Sequence, residues 1–274
     1  MTIKSILQFG SALVVLAAPV AAQDASGQMG LNDIMVLRGW QTENGTYMAA
    51  VLFSLEDGWK TYWRAPSQSG IPPQFSWDGS ENLSSVKFHW PAPKVYTENG
   101  ITTIGYKGDF ILPIELMPVT AGKPIKVKSQ VEYGLCSDVC IPARSTLDAV
   151  IEDGPVSEQI LIKTALAARP HSAVESDLHS ISCLISPNKN GMIINANITF
   201  RDVIPDIDLT VIEYIAPNTW IDQLDLKRSE KTLMAQAELV SFTKTPVILD
   251  PEKLRITLIG DVNAIEINGC SIKG

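Results

Sequence analysis

The sequence predicts an all-β protein made of two immunoglobulin-like antiparallel β-sandwich domains joined by a short helical linker. Three observations carry that reading. Short runs with apolar and polar residues in alternation recur along the chain, separated by turn pairs such as Asp57-Gly58, Asp78-Gly79, Asn99-Gly100 and Lys107-Gly108. One later stretch, from Val156 to Arg169, changes to helical spacing. The strand-like text on either side of it is close to the ~100 residues usual for such a sandwich.

Composition agrees with a globular chain. Of 274 residues, 45% are hydrophobic and 19% charged, which excludes collagen-like, low-complexity and disordered classes. Lys and Arg number 22 against 30 Asp and Glu, a net charge of -8. An acidic chain without long basic runs is poorly matched to a phosphate backbone, so no nucleic-acid partner is expected.

Residues 1–22 read as a secretory signal peptide. Lys4 supplies the positive start, Ile6 to Leu16 the apolar stretch, and Val20-Ala21-Ala22 the small-residue cleavage site. The apolar stretch is short for a bilayer, and no later window offers about 20 consecutive apolar residues. The expectation is therefore an exported, periplasmic chain with no membrane span of its own, in a compartment where disulfides persist.

The first domain is expected over residues 31–153. Its strands read as Met35–Trp40, Thr46–Leu55, Val86–Trp90, Phe110–Leu116, Ile125–Tyr133 and Ser145–Ile151. Residues 154–170 form the linker, where Val156 to Arg169 puts apolar residues on one helical face and Pro170 stops the helix. Docking between the two domains is the expected use of that face. Residues 171–274 return to strands at Ser180–Ile185, Met192–Phe200, Leu209–Ile215, Thr232–Leu239, Leu254–Ile259 and Asn263–Ile267.

The four cysteines fall into two kinds of pair. Cys136 and Cys140 sit in Tyr133-Gly-Leu-Cys-Ser-Asp-Val-Cys-Ile-Pro142. A chain reversal at Ser137-Asp138-Val139 sets them opposite each other on neighbouring strands, at about the 4.5–5.5 Å Cα separation that a disulfide accepts. Spacing alone fits a hairpin staple and an exchange pair equally. The turn position, which gives access, and the short closed loop, which stabilises little, favour exchange. Cys183 and Cys270 are far apart in sequence, and a bridge between them closes a long loop. A structural disulfide is the better reading, with a second redox pair as the alternative.

Three blocks carry a family resemblance: Gly58-Trp-Lys-Thr-Tyr-Trp-Arg-Ala-Pro-Ser-Gln-Ser-Gly-Ile-Pro-Pro-Gln-Phe-Ser-Trp77, Trp90-Pro-Ala-Pro93 and Tyr133-Gly-Leu-Cys-Ser-Asp-Val-Cys-Ile-Pro142. Over residues 31–153 the chain resembles the periplasmic N-terminal domain of the DsbD/ScsB family of thiol–disulfide reductases. The second half resembles the further β-domain of ScsB-like members, with less specific motifs. The resemblance implies a redox-active pair at Cys136 and Cys140, with Cys140 meeting the partner and Cys136 resolving. It further implies electrons arriving from a membrane protein and leaving to periplasmic thioredoxin-like or disulfide isomerase proteins. Neither the family's membrane portion nor its thioredoxin-like domain is legible here, so a separate CcdA-like membrane electron donor is implied.

Family members cover the site with an aromatic cap loop, which no motif here places. Tyr62 and Trp63 are aromatic residues of the matched block, and core packing is their ordinary use. Near the pair in sequence, Glu132 and Asp138 disfavour a thiolate, while Arg144 offsets them only if it turns back toward the sulfurs.

Two other classes compete. Cys-Ser-Asp-Val-Cys also resembles the copper site of Sco-type chaperones, with His89, His171 and His179 as the available third ligands, but that site belongs to a thioredoxin-like fold. An immunoglobulin-like binding module without redox activity is the other reading. No phosphate loop, His-Glu-x-x-His or Gly-x-Ser-x-Gly element is present, and no cofactor is expected.

Overall fold

The computed structural model describes residues 27–65, 70–98, 100–154, 157–189, 191–216, 218–242 and 249–272, so the signal peptide expected at 1–22 lies outside the described residues. The first half supplies β1 (Leu31–Gln41), β2 (Tyr47–Leu55), β3 (Lys60–Tyr62), β4 (Gln74–Ser76), β5 (Leu83–Phe88), β6 (Lys94–Glu98), β7 (Ile101–Lys107), β8 (Phe110–Pro118), β9 (Ile125–Cys136) and β10 (Cys140–Ile151). They form two antiparallel sheets, ordered β1-β2-β8-β5 and β10-β9-β3-β7-β6, with β4 added against β9.

Alternation explains why these runs become strands. Along β9, Ile125, Val127, Val131, Tyr133 and Leu135 are buried, while Lys126, Lys128, Gln130 and Glu132 are exposed. The inward rings pack in contact: Phe53 meets Tyr133 edge-on at 5.3 Å, and Tyr106 stacks on Phe110 at 3.8 Å. The alternation stops at the end of β9, where Gly134, Leu135 and Cys136 are all buried. Both faces of the sheet are covered at that place.

The second half supplies β11 (His171–Ser172), β12 (Leu178–Asn188), β13 (Gly191–Phe200), β14 (Leu209–Tyr214), β15 (Thr219–Arg228), β16 (Thr232–Ser241), β17 (Leu254–Ile259), β18 (Ala264–Asn268) and β19 (Ser271–Ile272). Their sheets are ordered β11-β18-β17-β14 and β15-β16-β13-β12-β19. The short pairings β11–β18 and β12–β19 are parallel, and every other pairing among the described residues is antiparallel. The architecture is two immunoglobulin-like sandwiches, as the periodicity predicts.

The helix departs from expectation in position. α1 (Gln159–Ala167) buries Ile162 against Leu37, Met48 and Ala50, on the outer face of the β1–β2 sheet. Full burial of that one side chain stabilises by about 2 kcal/mol. The Ala92 amide also donates to the Ala168 carbonyl at 2.7 Å, so the helix is fastened to the first sandwich rather than wedged between the two.

The sandwiches meet through other groups. Val211 and Ile259 of the second half complete the hydrophobic core of the first. Arg64, just after β3, reaches across to Glu213 at 2.8 Å and Glu266 at 2.7 Å, and Arg255 closes the cluster on Glu213 at 2.9 Å. The Arg64 guanidinium lies 4.2 Å from the Trp63 ring, and its two carboxylate partners raise its pKa against the opposing effect of burial.

Candidate functional site

β9 and β10 are joined by Ser137-Asp138-Val139 and run in register from Cys140 opposite Cys136 to Ile151 opposite Ile125. The two cysteines are bonded, with Cα atoms 4.0 Å apart. Their surroundings are unequal: Cys136 is 4% exposed, whereas Cys140 lies in the exposed tip of the hairpin. Cys140 is therefore the more accessible of the two.

β3 lies beside the inner cysteine in the same sheet. Lys60 pairs with Cys136 across the ladder, so Lys60, Tyr62, Cys136 and Cys140 all point to the outer face of this sheet. The Tyr62 ring lies over Gly134: a Cβ at Gly134 would sit 2.7 Å from Tyr62 Cε2 and 3.1 Å from Ile71 Cβ. The Gly134 amide donates to the Ile71 carbonyl at 3.0 Å, and Thr61 Oγ1 donates to the Gly134 carbonyl at 2.9 Å. Those bonds hold the Tyr62 hydroxyl so that it donates to Cys140 Sγ at 2.9 Å. Burial raises the Tyr62 pKa, which keeps the phenol protonated and able to donate at neutral pH. When the bond opens, the same donor favours a thiolate at Cys140.

The structure separates the two aromatics of the matched block. Trp63 is wholly buried in the core, while Tyr62 touches the sulfur. Arg144 does not serve the cysteines: it pairs with Glu132. Tyr62 is the side chain at the pair whose contact the sequence did not reveal, and the available signal was Gly134, a glycine inside a strand that a close neighbour explains.

The second pair is arranged differently. Cys183, on β12, is bonded to Cys270, between β18 and β19, with Cα atoms 5.9 Å apart. Both are buried, at 0% and 6% exposure, and the bond fastens the chain end beside β12, where Cys183 pairs with Ile272.

The histidines do not gather at Cys136 and Cys140. His89 lies 3.2 Å from Glu115, which sits on β8 in the other sheet, and His171 and His179 are exposed in the second half. Among the described residues no group of three or more His, Cys, Asp or Glu side chains is placed to hold a metal. Among the same residues no helix is long and apolar enough to cross a membrane.

Comparison with known proteins follows the same division. The family described as "Thiol:disulfide interchange protein DsbD, N-terminal" matches residues 37–152. Among solved structures, the crystal structure of the N-terminal periplasmic domain of ScsB from Proteus mirabilis is similar, with a TM-score of 0.62 and 21% identity over 87% of this chain and 92% of that one. That likeness extends the shared fold into the second sandwich. No curated protein matches the chain. The match to the family described as "Thiol:disulfide interchange protein DsbD, N-terminal" thus falls within the first sandwich, and the ScsB domain shares the fold.

Proposed function

We propose that the protein is a periplasmic thiol–disulfide exchange protein working through Cys136 and Cys140, which takes electrons from a separate CcdA-like membrane reductase and passes them to exported thioredoxin-like or disulfide isomerase partners. The single observation that carries this reading is the asymmetry of the pair: one cysteine exposed at a hairpin tip with a phenol donating to its sulfur, the other buried. A staple requires no such difference. The similarity to a domain described as periplasmic, together with the leader-like residues 1–22, supports the compartment.

The chemistry balances in two exchanges. A donor dithiol gives up an electron pair and closes to its own disulfide, opening Cys136–Cys140 to two thiols. The Cys140 thiolate then attacks a partner disulfide, forming a mixed disulfide and expelling one partner thiolate. Cys136 attacks Cys140 Sγ, the internal bond re-forms, and the second partner thiolate leaves and takes a proton from solvent.

Trapping tests the order of events. Cys136→Ser keeps the exposed sulfur and removes the resolving one, so it is expected to accumulate a mixed disulfide with an exported partner on non-reducing gels. Cys140→Ser is expected to accumulate none. If neither variant traps a partner and the wild-type pair stays fully oxidised in cells, the exchange reading is wrong. The binding-module reading then takes its place.

A further inference from the structure

A cleft of about 790 Å³ lies where the two sandwiches meet, a size usual for binding sites. Gly70, Pro72, Thr102 and Ile104 wall it from the first sandwich, and β14, β15 and part of β16 wall it from the second. β14 and β15 are the outer strands of their two sheets, so no further strand covers their free edges among the described residues.

The gap between those edges is closed at one place and open at the next. The Gln223 side-chain amide donates to the Ile212 carbonyl at 2.8 Å, and its oxygen accepts from the Ile212 amide at 3.0 Å, as a neighbouring strand would. Strand alternation turns the Thr210 amide and carbonyl to the same edge, at the wall of the cleft. The Thr210 hydroxyl is buried without a hydrogen-bond partner among the described residues. An unpaired buried hydroxyl destabilises, and a ligand bringing a donor or acceptor relieves that.

β15 shows what kind of ligand fits. Its pairing with β16 shifts between Gln223 and Asp225, so Leu224 is an extra residue with none opposite it. Such a bulge re-aims a side chain, and Leu224 lines the cleft at 46% exposure, with Trp220 at 44%. Asp222 and Asp225 line the same wall, and no Lys or Arg does among the described residues. Asp225 pairs with the exposed Lys227 at 3.3 Å, whereas Asp222 has no ion pair among those residues. The near end of the cleft adjoins the exchange site. A Cβ at Gly70 would sit 2.3 Å from Tyr62 Cδ1, and the Tyr62 hydroxyl donates to Cys140 Sγ at 2.9 Å.

We propose that this cleft seats an extended polypeptide segment, apolar with a basic residue, of the partner whose disulfide meets Cys140. This rests on the exchange reading above and names the chemistry of its partner. The segment's peptide groups pair with the free edge at Thr210, its apolar side chains lie on Trp220 and Leu224, and its cation meets Asp222. The second sandwich thereby selects the partner, while the first carries out the exchange.

The test reads the cleft without the sulfurs. Binding to the oxidised protein is followed by fluorescence anisotropy with a cysteine-free probe, a fluorescein-labelled peptide of alternating Val and Thr with a central Lys. Saturable binding is expected. Trp220→Ala is expected to weaken it about tenfold, and Asp222→Lys, at an exposed position, about fivefold. Replacing the peptide's Lys by Glu is expected to weaken binding to the wild type and to restore binding to Asp222→Lys. Damage to folding would not give that reversal. N-methylation of alternate peptide amides is expected to weaken binding by removing the donors to the free edge. No saturable binding, or binding indifferent to both the charge exchange and N-methylation, overturns the proposal. A dimer in sedimentation that Trp220→Ala abolishes also overturns it, because a second copy then fills the cleft. If the peptide binds while Cys136→Ser traps no partner, the exchange reading falls and the cleft remains a peptide site. If Cys136→Ser traps a partner and no peptide binds, the exchange reading stands and the cleft assignment falls.

Discussion

The two disulfides are built for opposite ends. Cys183–Cys270 closes a loop of sequence separation 87 inside the second core, with both sulfurs buried. Cys136–Cys140 closes a separation of 4 at a hairpin tip, with one sulfur exposed and a phenol donating to it. A long closed loop removes much entropy from the unfolded chain and a short one little. The chain-entropy estimate is about 4.6 kcal/mol for the first bond and about 2 kcal/mol for the second. The bond that stabilises least is the accessible one, which suits the exchange role proposed for it.

The sharpest way to break the comparison is to remove each bond in turn. Replacing Cys183 and Cys270 together by Ser is expected to lower the unfolding free energy by about 4 to 5 kcal/mol, and replacing Cys136 and Cys140 by no more than about 2. Denaturant titration of both variants checks this, and equal losses would void the distinction. Under graded dithiol the hairpin bond is expected to open first, with mass-tagging of freed thiols at each step giving the order. Simultaneous opening would mean that burial of Cys183 and Cys270 gives no protection.

A second prediction asks whether the two bonds sit in independent bodies. Arg64, two residues beyond Tyr62, is a mostly buried cation between Glu213 and Glu266 of the second sandwich. Removing Arg64 takes the cluster's cation from Glu266 and leaves Glu213 to Arg255 alone, at a cost of about 3 kcal/mol. Arg64→Met is expected to weaken the joint, so that one calorimetric transition separates into two, one for each sandwich. A single transition at an unchanged temperature would show that Val211 and Ile259 hold the joint without the ion cluster.

Legibility in the sequence follows burial. The long strands β9, β13 and β16 alternate against a core, and their period was plain, whereas β2 is a nearly continuous apolar run because α1 covers its other face. β15 is an edge strand, mostly exposed, with a register shift between Gln223 and Asp225, so it offered no apolar face to read. β3 and β4 span three residues each, too short for a period to show, although β3 places both Lys60 and Tyr62. The Cys136–Cys140 register could be read because a hairpin is local: three loop residues fix which partners face each other. The Tyr62 contact could not, since it joins positions 78 apart in sequence through a sheet order that no local pattern encodes.

The smallest effect is the most specific to the comparison, because among the described residues only the hairpin pair has a side-chain donor to one of its sulfurs. Tyr62→Phe deletes the hydroxyl and keeps the ring over Gly134, so packing and the fold are expected to hold. A hydrogen bond to a thiolate is worth about 1 kcal/mol, which corresponds to a rise in the Cys140 pKa of about 0.7 unit and about a fivefold loss of thiolate. The direction follows from the donor: it favours the charged form, so the wild-type excess of thiolate is largest below the midpoint and vanishes at high pH, where both proteins are fully ionised. The alkylation rate of reduced Cys140 in a Cys136→Ser background, followed against pH, measures this, and Cys183–Cys270 serves as the internal reference that should not respond. Identical pH profiles for Tyr62→Phe and its parent would reduce the phenol to a roof over Gly134. The asymmetry of the pair would then rest on exposure alone.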